Sequence, residues 1–80
     1  MDIYDSVFRN NTANENTGAL LNRSSSGKTA TLNIYNTDFI SNSANTEAGA
    51  IFNYTNGGGT NYLNIYGSRF EGNTASNAGA

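Results

Sequence analysis

Eighty residues allow one domain, and a chain of this length buries only about 60–65 % of the surface its unfolded form exposes. A formal charge of −2 with 12 % charged residues removes the electrostatic case for nucleic acid or for an anionic membrane, and no apolar run approaches a membrane span. There is no Cys, so no disulfide framework and no thiolate metal site, and no His or Pro either, while 15 Asn and nine Gly stand out and nine Phe and Tyr together speak against disorder.

The chain opens with "MDIYDS", which has neither a basic start nor an apolar stretch. A secretory signal, where the protein is exported, lies outside these residues. From Asp2 onward "DIYDSVFRNNTANENTGALLN" sets a pattern. It returns from Asn33 as "NIYNTDFISNSANTEAGAIFN" and from Asn64 as "NIYGSRFEGNTASNAGA", a step of 31 residues each time. Residues 1–31 and 32–62 share 11 identities, among them Ile3 with Ile34, Tyr4 with Tyr35, Phe8 with Phe39, Asn11 with Asn42, and Gly18 with Gly49. The third copy is one residue short, so Gly79 and Ala80 arrive early.

A repeat of about 30 residues fits either a helical hairpin or a stack of short strands. The helical option fails because "LNIY" alternates apolar and polar residues, and because the unit is poor in Leu, Glu and Lys and rich in Asn, Thr and Gly. The expectation is therefore an all-β chain, a β-solenoid of about two and a half coils (1–31, 32–62 and an incomplete 63–80). Its strands pair in parallel about 4.8 Å apart, with equivalent residues directly above one another.

Within each coil three strand pieces are expected. "GAIFN" is one. "YLNIYGSRF" is the second, with Leu63 and Ile65 pointing inward, Phe70 in the core and a bend near Gly67–Ser68. A short piece around "TAS" is the third, while "RSSSGKTA" and "TNGGGTN" read as excursion loops. "FISNSANTEAGAIFN" is then a corner: Phe39, Ile40, Ile51 and Phe52 are apolar enough for a core, and the small residues between them let the chain turn tightly.

Stacking turns each recurring residue into a column. Phe8, Phe39 and Phe70 form a core aromatic column. Asn11, Asn42 and Asn73 form a structural column whose amides partner the turn backbone and one another. If Leu32 and Ile34 face inward, Tyr4, Tyr35 and Tyr66 face outward beside Asp2, Asn33 and Asn64. Such a stripe suits a sugar ring or a protein partner, and equally suits a cross-strand ladder that only stiffens the sheet.

No catalytic residue, cofactor or metal ligand emerges. Asp2 and Asp5 are the nearest acids, and their equivalents are Asn33 with Asn36 and Asn64 with Gly67, so no acidic cluster builds from copy to copy. Asn10, Asn22 and Asn53 open glycosylation sequons, which chance produces readily in a chain of this composition.

The segments "FRNNTANENTGAL", "FISNSANTEAGAI" and "FEGNTASNAGA" resemble the Phe-x-x-Asn and Gly-Gly-Ala-Ile repeats of the chlamydial polymorphic outer membrane proteins, over essentially the whole chain. Phe-x-x-Asn matches in all three copies, whereas Thr17, Ala48 and Ala78 stand where the first Gly of the second motif would be. The resemblance implies a right-handed parallel β-helix, part of a longer autotransporter passenger domain, exposed at the cell surface of the outer membrane or secreted.

The function it implies is structural display in an adhesin-like protein, with no catalysis by this segment. The neighbouring coils of the longer chain, and a host-cell protein or glycan, are the expected partners. The segment itself is not expected to insert in a membrane, and in isolation its exposed strand edges are expected to associate end to end. The alternative is a piece of a carbohydrate-binding or pectate-lyase-like protein of the same architecture whose active site lies in other coils.

Overall fold

The computed structural model describes residues 1–80, and they are all-β, with no helix. Ten strands are present: β1 (Asp2–Tyr4), β2 (Val7–Arg9), β3 (Thr12–Ala13), β4 (Leu20–Ser24), β5 (Thr29–Tyr35), β6 (Asp38–Ile40), β7 (Ser43–Ala44), β8 (Ile51–Thr55), β9 (Thr60–Tyr66) and β10 (Arg69–Glu71). They form four parallel sheets, β1-β5-β9, β2-β6-β10, β3-β7 and β4-β8. Every strand pairing joins residues 31 apart: Ile3, Ile34 and Ile65 align in one sheet, Phe8, Phe39 and Phe70 in another, and Leu21 meets Phe52 in a third; the isolated bridge of Ala48 to Ala78 spans 30, where the third repeat is one residue short. The three repeats thus lie as three layers. At about 4.8 Å per layer, that accounts for the shortest dimension of a 34 × 27 × 13 Å body.

The middle layer has neighbours on both faces and holds the core. Leu32, Ile34, Phe39 and Ala50 are wholly buried, with Ile3, Phe8, Leu20, Ile51, Leu63 and Phe70 packed around them. The Phe rings stack face to face, 4.9 Å apart between Phe8 and Phe39 and 4.8 Å between Phe39 and Phe70. Ile65 occupies the inward position above Ile34 yet is 40 % exposed, because no layer of this chain lies over it.

Four strands serve each full repeat, not the expected three. The long second piece breaks into two, β5 then β6 and β9 then β10, at the bend anticipated near Gly67–Ser68. The break recurs at one position of every repeat, where Asp5, Asn36 and Gly67 have φ of 48°, 49° and 58°. A second corner recurs at Asn10, Ser41 and Gly72, with φ of 59°, 55° and 64°. L-residues reach this left-handed region at a cost, and Asn, Asp and Gly tolerate it best. The composition of these corners is thereby explained at every position but Ser41.

The expected excursion loops are also shorter than the sequence suggested. Arg23–Ser24 and Thr29–Ala30 belong to β4 and β5, and Thr55 and Thr60–Asn61 to β8 and β9. What remains is a four-residue turn, Ser25–Lys28, closed by the Lys28 amide donating to the Ser25 carbonyl at 2.8 Å, and its counterpart Asn56–Gly59. Phe52 is not in the core: its aligned neighbour is the exposed Leu21, and both stand on the outward face of β4-β8. The inward positions of this sheet include Asn22 and Ser24, which are buried and bonded to the Tyr62 and Thr60 carbonyls at 3.3 and 3.2 Å.

Close approach of backbones fixes two glycines. A Cβ on Gly18 would strike the Gly49 carbonyl oxygen, and one on Gly49 would strike the Gly79 carbonyl oxygen. The preceding position admits a methyl, since Ala48 is buried. Thr17 places there a hydroxyl that is buried without a partner.

The interior corners are closed by polar columns. Asn42 is fully buried. Its Oδ1 accepts from the Asn11 amide at 3.1 Å and from Asn11 Nδ2 at 2.8 Å, while its Nδ2 donates to Asn73 Oδ1 and to the Phe8 carbonyl, each at 3.0 Å. Asn73 repeats the pattern one layer on, accepting from the Asn42 amide at 3.0 Å and donating to the Phe39 carbonyl at 2.9 Å. Removing such an amide orphans several buried groups at once, each costing about 1–3 kcal/mol. Asn42→Ala is therefore expected to destabilise the fold by about 3 kcal/mol in urea denaturation. An Asn42→Ala variant as stable as the parent would show that the column carries none of the stability.

Candidate functional site

The outward face of β1-β5-β9 carries two parallel stripes. Alternation along β5 sends Leu32 and Ile34 inward, and Asn33 and Tyr35 outward. Tyr4, Tyr35 and Tyr66 then stack, with centroids 4.7 and 5.1 Å apart and planes 8° and 10° from parallel. Tyr4 is 59 % exposed and Tyr66 53 %, so the column has an open surface. Beside it Asn33 Nδ2 donates to Asp2 Oδ1 at 2.9 Å and Asn64 Nδ2 to Asn33 Oδ1 at 2.8 Å. Asn33 spends one donor and one acceptor on its neighbours and Asn64 one donor, which makes the ladder a strip of hydrogen-bonding groups alongside flat rings.

The stripe is anchored from below by a column of hydroxyls that composition does not advertise. Ser6, Thr37 and Ser68 recur 31 residues apart, directly after the left-handed bend. Each hydroxyl donates to the carbonyl two residues back, at Tyr4 (2.7 Å), Tyr35 (3.0 Å) and Tyr66 (3.2 Å). Two of them also serve the preceding layer: Thr37 Oγ1 accepts from the Ser6 amide at 3.4 Å and Ser68 Oγ from the Thr37 amide at 3.1 Å. The Tyr35 carbonyl also accepts from the Asp5 amide at 3.0 Å and the Tyr66 carbonyl from the Asn36 amide at 2.9 Å, so both are held at the bend by a partner on the same layer and one on the preceding layer. The recurrence of a hydroxyl residue at one repeat position is the sequence signal for this column.

The other residues singled out lie apart from this face. Phe8, Phe39 and Phe70 fill the interior, and Asn11, Asn42 and Asn73 line the corner behind them. Among the acids, no three come together in a set fit to hold a metal ion. Arg69 lies 3.6 Å from Asp38 and 3.8 Å from Glu71, exposed pairs of the kind that contribute little. Of the sequons, Asn22 is buried and its Nδ2 donates to Asn53 Oδ1 at 2.8 Å, which leaves it no room to carry a glycan. No protein-family model, curated protein or solved structure matches the chain.

The stack has one electrostatic consequence. The half-buried position of Tyr35, followed by the neighbouring Tyr4 phenol, the Asp2 carboxylate and the Tyr66 phenol, raises its pKa above the ordinary 10.0. A raised pKa means that the fold favours the neutral phenol. That preference stabilises fully below pH 10 and is lost as pH rises through the higher folded value. Tyr35→Phe is expected to keep its native circular dichroism to higher pH than the parent, and to lose one phenolate step above pH 10.0 from the 295 nm titration. An unchanged alkaline transition would remove Tyr35 as its cause.

Proposed function

We propose that the three stacked repeats are a segment of a right-handed parallel β-helix, serving as a rigid display element of a surface-exposed or secreted adhesin-like protein, of the kind built from polymorphic outer membrane protein repeats. The observation that carries this reading is the constant 31-residue register in every strand pairing. Under that register the interior repeats, while the exterior outside the Tyr and Asn stripe changes. Inside, Ile lies on Ile, Phe on Phe and Asn on Asn. Outside, Val7, Asp38 and Arg69 share one column, and Arg23 and Tyr54 share another. A scaffold with a uniform interior and a freely varied surface extends by addition of layers and presents side chains at fixed spacing. The segment has no catalytic role in this reading.

Two experiments test it. A short epitope placed in the exposed Asn56–Gly59 turn of the protein, expressed from its own gene, is expected to be labelled by antibody on intact cells or recovered in the medium. Labelling only after permeabilisation would overturn the surface assignment. The isolated 80-residue chain exposes unpaired strand edges along β9 and β10 on one face of the stack, and these are expected to pair with a second copy. Sedimentation should show a mass that climbs with concentration. A folded monomer throughout the series would show that the edges do not pair.

A further inference from the structure

A second surface feature lies on the outward face of β4-β8, away from the Tyr stripe. Asn16, Leu21, Arg23, Glu47, Phe52 and Tyr54 line an open cavity of about 330 Å³. These are three pairs of register equivalents: Asn16 with Glu47, Leu21 with Phe52, Arg23 with Tyr54. The floor is apolar, with Leu21 46 % and Tyr54 38 % exposed and the Phe52 and Tyr54 rings inclined at 32° with centroids 5.3 Å apart. The walls carry one cation and one anion. Arg23 and Glu47 form no ion pair with each other, and the Arg23 guanidinium makes no hydrogen bond within the chain. Glu47 Oε2 is held by Asn77 Nδ2 at 3.0 Å, which fixes the carboxylate at the rim.

We propose that this groove binds a neutral, hydroxyl-rich sugar chain, one or two rings at a time. Volume sets the first limit, since the cavity is at the small end of ligand sites, about 300–1,000 Å³. Charge sets the second. Opposite charges face one ligand space, so a net-charged ligand meets repulsion at one wall, whereas a hydroxyl donates to Glu47 and accepts from Arg23 with equal ease. The floor sets the third. An aromatic face is electron-rich and attracts the polarised C–H bonds on the apolar side of a pyranose ring, and inclined rings cradle that side. Asn16 adds an amide that both donates and accepts.

This site deepens the display reading by naming a ligand class, but binding by the purified chain does not depend on where the protein resides. Failure of the groove and failure of the surface assignment are therefore separable.

Saturation-transfer NMR on the 80-residue chain, which tolerates self-association, is the test. The probes are neutral tetrasaccharides of glucose and of N-acetylglucosamine in differing linkages, with a zwitterionic tetrapeptide alongside. Transfer to the ring C–H protons of at least one sugar is expected. It should be abolished in Tyr54→Ala, retained in Tyr54→Phe, and accompanied by an affinity loss of about tenfold in Arg23→Ala, the scale of one lost charge-assisted hydrogen bond. Arg9→Ala, on the separate strand β2, should bind as the parent does. Circular dichroism confirms that each variant is folded, and Tyr54→Phe with Arg23→Ala carries the test should Tyr54→Ala fail to fold. No transfer to any sugar, transfer indifferent to Arg23→Ala, or transfer to the peptide alone would each overturn the proposal.

Discussion

Parallel pairing of each strand with its equivalent 31 residues on is the constraint from which the rest of the structure follows. Interstrand spacing of about 4.8 Å places every side chain over its own counterpart. Identical groups must then tolerate one another at that distance. Flat rings do so by stacking, as in the columns of Phe8, Phe39 and Phe70 and of Tyr4, Tyr35 and Tyr66. Primary amides do so by donating to one neighbour and accepting from the other. Like charges do not, and no column of the chain carries three of one sign: Asp2 gives way to Asn33 and Asn64, and Asp38 lies between Val7 and Arg69.

The same constraint explains a chain so rich in Asn with so few large apolar residues. A corner turned every few residues leaves interior amides and carbonyls that the sheets do not reach. Asn42 and Asn73 satisfy such groups on the preceding layer, and the hydroxyls of Thr37 and Ser68 satisfy them on their own layer and on the preceding one. The interior is therefore partly polar by design. Its stability comes from hydrogen bonding between layers as well as from the small apolar cluster around Phe39. A polar column of this kind also disciplines register, since a slip of one residue would strand every member.

Away from the Tyr and Asn stripe the outward surface is freer of these demands. Its other columns mix residue types, and its two features of chemical interest, that stripe and the groove of β4-β8, lie on different sheets. Both are assembled from equivalent positions of successive repeats, so their geometry is inherited from the stack while their chemistry is set by whichever residues occupy it. That separation of a repeating frame from a largely varied face is the physical basis of the proposed display role.

Much of this was legible in the chain because a repeat acts twice, once as pattern and once as contact. Aligning Ile3 with Ile34 and Phe8 with Phe39 on paper is also aligning them in space, so the all-β class, the parallel register, and the Phe, Asn and Tyr columns follow from the sequence alone. The bend at Gly67–Ser68 followed too, from an apolar spacing that alternation could not accommodate. What the sequence did not decide depended on which way each residue faces at a corner. Asp5 with Asn36 and Asn10 with Ser41 look like ordinary polar residues until their positive φ appears. Ser25–Lys28 has a loop's composition yet is only a tight turn. Phe52 has the hydrophobicity of a core residue, but it follows the small residues Gly49 and Ala50 by a count that turns it outward against Tyr54. Hydropathy reports how strongly a side chain prefers burial; only the folded path of the backbone decides which side of the sheet it is given, and at Phe52 that choice made a groove.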